Sequence, residues 1–164
     1  MRPLALLHDH TMSLKDWITR HLGGSLDATE RDDGGRVDLA VAALLVEVLR
    51  ADYDVAPQER QQVVVSVSRL LGLDATVSAA LVEEAERHID KSHDLYQFTS
   101  QVNRAWSDTE KLRLLEALWR VAAADEAVHK YEEHLIRRVA DLLHVPHSGF
   151  IKAKLRATEP RADE

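Results

Sequence analysis

Cysteine is absent from this chain of 164 residues. That removes disulfides, thiolate zinc sites and a cysteine nucleophile, and it leaves the redox compartment open. Glycine and proline are scarce, at six and four residues, too few for a loop-rich or low-complexity chain. Aromatic residues make up only 5%, and no alternating Ser/Thr-rich segments mark strands. No apolar run approaches the ~20 residues of a membrane-spanning helix. Positive charge is the minority sign: 21 Lys and Arg face 28 Asp and Glu, for a net charge of −7. No basic stripe interrupts that excess. This argues against a nucleic-acid partner, because phosphate neutralisation needs clustered Lys and Arg. The H-E-x-x-H, P-loop and G-x-S-x-G signatures of metalloprotease, nucleotide and serine-hydrolase chemistry are also missing.

What is present is a soluble mixture, 45% hydrophobic and 30% charged, dominated by Leu, Ala, Val, Glu and Arg. The expectation is an all-α fold, a compact bundle of about seven to eight helices. Residues 1–11 read as a leader from an upstream start or as a poorly ordered segment, and Met12 opens a better phrase. Ser13 to Leu22 reads as a short amphipathic helix, followed by a polar, Gly-bearing linker over 25–36. An N-terminal segment 1–36 thus precedes a helical domain expected over 37–156, and 157–164 reads as a disordered acidic tail. Within the domain, Val37, Ala40, Val41, Leu44, Leu45, Val48 and Leu49 form an almost unbroken helical stripe ending at Asp52. Pro57 suits the first turn of the next helix, which runs to Leu71 with Gly72 just beyond it. Further helices are expected over Asp74–Asp90, Asp94–Ala105, Asp108–Ala124, Lys130–Leu143 and Pro146–Leu155. Ser107 and Glu110 form a capping box for the fifth of these domain helices. In the last, Phe150, Ile151 and Leu155 are expected to face inward.

Two segments are related. LLVEVLRADYDVAPQERQQVVVSVSRLLGL (44–73) and LLEALWRVAAADEAVHKYEEHLIRRVADLLHV (114–145) each read as helix, acidic loop, helix. An offset of 73 aligns Leu45 with Leu118, Val48 with Val121, Asp52 with Asp125 and Glu59 with Glu132. In the second helices the apolar letters align better at 72, Val63 over Leu135 and Val64 over Ile136. That places a one-residue slip near the loop or first turn, and such a slip rotates a side chain ~100° about the helix axis. Two pseudo-symmetric helical-hairpin repeats are therefore expected, with unequal acidic ends.

The acidic ends admit two readings. Asp52, Glu59, Asp125 and Glu132, with Asp54 and Glu133 adjacent, are oxygen donors of the kind hard divalent cations use. They are equally the Asp and Glu that end and begin ordinary helices. Neither loop is an EF-hand, since Asp52-x-Asp54 lacks Gly at position six and Glu at twelve. Glu126-Ala-Val-His129 is a single E-x-x-H, whereas di-iron chemistry needs two inside long helices. His144 and His147 flank Pro146 and read as capping or packing residues. Trp106 and Trp119 read as core, and Lys111, Arg113, Arg137 and Arg138 as solvated faces.

AALLVEVLRADYDV, DLYQFTSQVN, LLEALWRVAAADEAV and KYEEHLIRRVADLLHVPHSGFIKAKLRA together resemble the TerB-like tellurite-resistance family over about residues 38–156. The same fold is found at the N-terminus of DjlA-type co-chaperones. The resemblance implies an all-α fold of two related repeats and an acidic cluster proposed to hold a divalent metal. By position that cluster falls on Asp52, Glu59, Asp125 and Glu132, with Asp54 and Glu133 beside it. Where the family usually has Asp-Gly, this chain has Asp52-Tyr53 and Asp125-Glu126. The expected function is a non-enzymatic cytoplasmic helical module in a metal or stress response, with calcium or magnesium as candidate cation and an unidentified protein partner. The alternatives are a metal-free, co-chaperone-like interaction scaffold and a metallohydrolase or oxygenase using His129.

Overall fold

Stripes of apolar residues at helical spacing can be buried only by packing helix on helix. In the structure, a computed structural model, residues 29–51, 57–91, 94–124 and 130–159 are described, with side chains from residue 35 onward. They form seven helices: α1 (Thr29–Arg50), α2 (Pro57–Leu71), α3 (Ala75–Lys91), α4 (Leu95–Ala105), α5 (Asp108–Ala122), α6 (Lys130–Leu142) and α7 (His147–Thr158). There is no strand among the described residues.

The centre of the fold is α1. Ala40 through Val46 is a run of seven apolar residues, and each is buried. A helix apolar on every side belongs inside a bundle, and α1 packs against α2, α3, α4, α5 and α6. The second pillar is α5, which packs on α1, α2, α6 and α7. It carries Trp119, fully buried and set edge-to-face against Phe150 of α7 at 5.4 Å between ring centroids.

Local chemistry sets the helix ends. Asp74 accepts the Val77 N–H at 2.9 Å ahead of α3, and Asp94 accepts the Tyr96 N–H at 3.1 Å at the start of α4. The Ser107–Glu110 capping box forms as expected: Ser107 N–H donates to Glu110 at 2.8 Å, and Glu110 N–H donates to Ser107 Oγ at 3.3 Å. Gly72 follows α2 with φ +68 and His144 follows α6 with φ +62. His144 is the left-handed residue of a Schellman end, in which Val145 N–H reaches the Ala140 carbonyl at 2.9 Å and His144 N–H the Asp141 carbonyl at 3.1 Å. The α6 end also receives the Asn103 side-chain amide, which donates to the Leu142 carbonyl at 2.9 Å.

Several expectations are corrected. The linker expected over 25–36 is helical from Thr29, so α1 passes through Gly34 and Gly35. Extending a helix that is already nucleated by packing adds one hydrogen bond per residue fixed, and this outweighs the glycine penalty. The tail expected over 157–164 is corrected at its start: α7 runs to Thr158, whose hydroxyl donates back to the Lys154 carbonyl at 2.9 Å. On α7, Phe150 and Ala153 face inward while Ile151 and Leu155 are exposed, at 36% and 55%. The reason is that α7 packs mainly on α5 alone, which buries a narrower stripe than an interior helix does. The helix expected over Ser13–Leu22 and the segment 1–11 lie outside the described residues.

The register of the two related segments is also corrected. Residues 59–67 of α2 match 132–140 of α6 in burial class at seven of nine positions with the offset of 73, but at only two of nine with 72. Buried Glu59, Val63, Ser66 and Val67 thus stand where α6 has buried Glu132, Ile136, Val139 and Ala140. The apolar letters misled because Leu135 is only half-buried and Ser66 is buried. The slip therefore falls at the C-terminal ends, where Gly72 and His144 are 72 positions apart.

The two left-handed ends give a pair of opposite expectations. His144→Gly raises stability by about 0.5 kcal/mol, as relief of left-handed strain exceeds the added chain entropy. Gly72→Ala lowers it by about 1 kcal/mol, since its left-handed backbone penalises any Cβ even though the space is open. Urea unfolding midpoints of the two variants check both signs.

Candidate functional site

Glu59 is the third residue of α2, and Glu132 is the third residue of α6. Both are completely buried, at 0% exposure. Each heads the inward stripe of its helix, so the packing that buries Val63 and Ile136 draws the glutamate in above them. Glutamate is favoured in a first turn because the helix N–H dipoles attract negative charge, but that effect is ordinarily used at the surface. Removing an ionised carboxylate from water costs several kcal/mol unless donors or a cation meet it. Two such carboxylates in the same register of two related helices is the arrangement that the sequence slip had argued against.

Glu133 behaves differently. It is half-buried, faces α7 and pairs with Lys154 at 3.4 Å, with Arg137 of its own helix at 3.8 Å. One residue of rotation, about 100°, sends Glu132 into the core and Glu133 to this outer seam. The two cations then serve a second purpose: Lys154 Nζ lies 5.2 Å from the Trp119 ring and the Arg137 guanidinium 4.8 Å from the Phe150 ring. Glu133 is thus committed to cations of the protein at this outer seam. Asp52, Asp54 and Asp125, together with Glu126 and His129, lie outside the described residues. Among the described residues no group of three or more His, Asp and Glu gathers as metal ligands.

The remaining singled-out residues fall as follows. His147 stacks on Phe150 at 5.8 Å, a packing role, and His144 ends α6. Trp119 is core, whereas Trp106 is half-buried. Arg113 and Arg138 are exposed, but Lys111 is buried at 8% exposure. A lysine's four-carbon stem is apolar enough to be buried in this way; a residue-level charge count has no signal for that. Also invisible in sequence was a cleft of about 210 Å³ between α2 and α5, lined by side chains that include Arg69, Trp106 and Arg113.

A family model described as tellurite resistance protein TerB matches residues 38–155. The chain belongs to the TerB family. The TerB match opens inside α1 and closes inside α7, so it takes in the central helix and both buried glutamates. No curated protein and no solved structure matches the chain. No single helix among the described residues is long and apolar enough to cross a membrane.

The outer position of Glu133 has a measurable consequence. A double-mutant cycle of Glu133→Ala and Lys154→Ala should give a coupling of about 0.2–1 kcal/mol, the range of a partly exposed ion pair. A coupling of several kcal/mol in chemical unfolding would mean that Glu133 does more than serve this seam.

Proposed function

We infer that this TerB protein is a non-enzymatic helical module whose acidic end binds a divalent cation, calcium or magnesium, and which acts in the cytoplasm by docking on a protein partner. The single observation behind this reading is the matched, complete burial of Glu59 and Glu132. At the offset of 73, Asp52 and Asp125 take equivalent places seven residues earlier, so each loop offers the same pair of carboxylates. Four carboxylates brought to one end of a bundle repel one another, and a hard cation is the simplest group that relieves the repulsion. The donor set fits such an ion: all oxygen, no thiol, and no histidine among the four. Glu59 and Glu132 would supply the oxygens that reach it from the core side. Glu133, engaged by Lys154 and Arg137, falls out of the ligand set.

The family description points to tellurite, which is an oxyanion. Carboxylates repel an oxyanion, so these residues argue for a cation as the species bound. The cation would fix the two loops against each other, and the surface so ordered would be presented to the partner.

Thermal unfolding tests this. Calcium or magnesium at a hundredfold excess over its Kd should stabilise the protein by about 2.7 kcal/mol. Glu59→Gln and Glu132→Gln should each remove most of that gain, and Glu133→Gln should leave it intact. A melting curve that millimolar calcium and magnesium leave unchanged overturns the cation reading and favours a metal-free interaction scaffold.

A further inference from the structure

The cleft between α2 and α5 is remote in character from the acidic end. Its two walls come from one face of each helix: Ser66, Arg69 and Leu70 from α2, and Arg113, Ala117 and Arg120 from α5. Trp106, at the C-terminal end of α4, also lines it. In a chain with net charge −7, three guanidinium groups around one small cleft reverse the local sign.

Glu110 and Glu116 also line the cleft, so its five charged side chains leave a net positive charge of one. Glu110 accepts the Ser107 N–H at 2.8 Å and is occupied in the capping box. Glu116 lies 3.9 Å from Arg120 on the same helix. Arg69 and Arg113 are exposed and form no ion pair among the described residues, although elsewhere Arg50, Arg60 and Arg87 each meet an acid at 3.0 Å or less. Two guanidinium groups on facing helices, neither in an ion pair among the described residues, offer their N–H groups to one anion held between them. A guanidinium binds a phosphate through two parallel N–H···O bonds, and a dianion satisfies two such groups where a carboxylate would satisfy one. Trp106, Leu70 and Ala117 supply an apolar wall beside the charge, which suits an aromatic or similarly flat group attached to the phosphate. At about 210 Å³ the cleft is smaller than the ~300–1,000 Å³ of typical ligand pockets, so the ligand is small or partly exposed.

We propose that the α2–α5 cleft is a binding site for a small aromatic phosphate monoester, held by Arg69 and Arg113 with its ring against Trp106. This site is independent of the cation reading and stands or falls separately from it.

The test is calorimetric titration of the full chain with phenyl phosphate, with inorganic phosphate and phenol as the component arms. Phenyl phosphate should bind saturably and at least tenfold more tightly than either component. Arg69→Ala and Arg113→Ala, both at exposed positions that leave folding intact, should each weaken it at least fivefold. Arg156→Ala, an exposed arginine on α7, should change nothing. Trp106→Phe should retain binding with altered enthalpy, and the loss of binding-induced change in tryptophan emission should follow the same substitution. Absence of saturable binding in the millimolar range overturns the proposal. So does equal affinity for phenyl phosphate and inorganic phosphate, or binding that survives the Arg69→Ala/Arg113→Ala double variant.

Discussion

The fold depends on the burial of α1 from every side. A helix that presents Ala40 to Val46 without a polar interruption cannot lie on a surface, and five neighbouring helices are needed to cover it. The short connections then dictate the rest: α2 must turn back along α1, and α3 must close over both. Polar links across these seams include Arg50 to Asp90 at 2.6 Å and Arg60 to Glu86 at 3.0 Å. Partly exposed pairs of this kind contribute at most about 1 kcal/mol each, so they tune seams that apolar packing has already set.

The same packing explains why Glu59 and Glu132 are hidden. Each is in register with an inward stripe, and a helix has no means of turning one residue outward without turning its neighbours at three and four positions along. The protein therefore accepts two buried carboxylates where exposed caps would have cost nothing. Buried ionisable groups persist when something in the native state compensates them, and Glu133 gives the contrast within one turn. It is rotated by about 100° and meets Lys154 and Arg137, as an ordinary surface glutamate does.

Much of this was legible beforehand, and the exceptions share a cause. Helix starts carried by explicit chemistry were readable: Pro57 opens α2 and the Ser107–Glu110 box opens α5 as expected, while α3 and α4 begin one residue after the expected Asp74 and Asp94. Gly72 at the end of α2 was readable for the same reason, whereas His144 takes the equivalent left-handed backbone without a glycine to announce it. Errors arose wherever burial had to be inferred from residue type. Ser66 is buried and Leu135 is half-buried, so aligning apolar letters misplaced the one-residue slip and made the two acidic ends look unequal. Ile151 and Leu155 looked like core because their spacing is helical, yet α7 has one main neighbour and buries only Phe150 and Ala153 fully. Lys111 was counted as a solvated charge, and its buried stem is a property of the packed surface around it. The α2–α5 cleft joins residues from three helices, a proximity that no local pattern encodes.

The burial of Glu59 and Glu132 in matching register leads to one geometric claim, that both carboxylates serve a single cation. A crystal structure determined from protein grown in calcium tests it most directly. An ion with oxygens from Glu59 and Glu132 both within about 2.6 Å, completed by ligands from the two acidic loops, is the predicted result. Carboxylates more than about 10 Å apart, each satisfied by separate protein donors with calcium absent between them, would contradict it, since no single ion spans that distance.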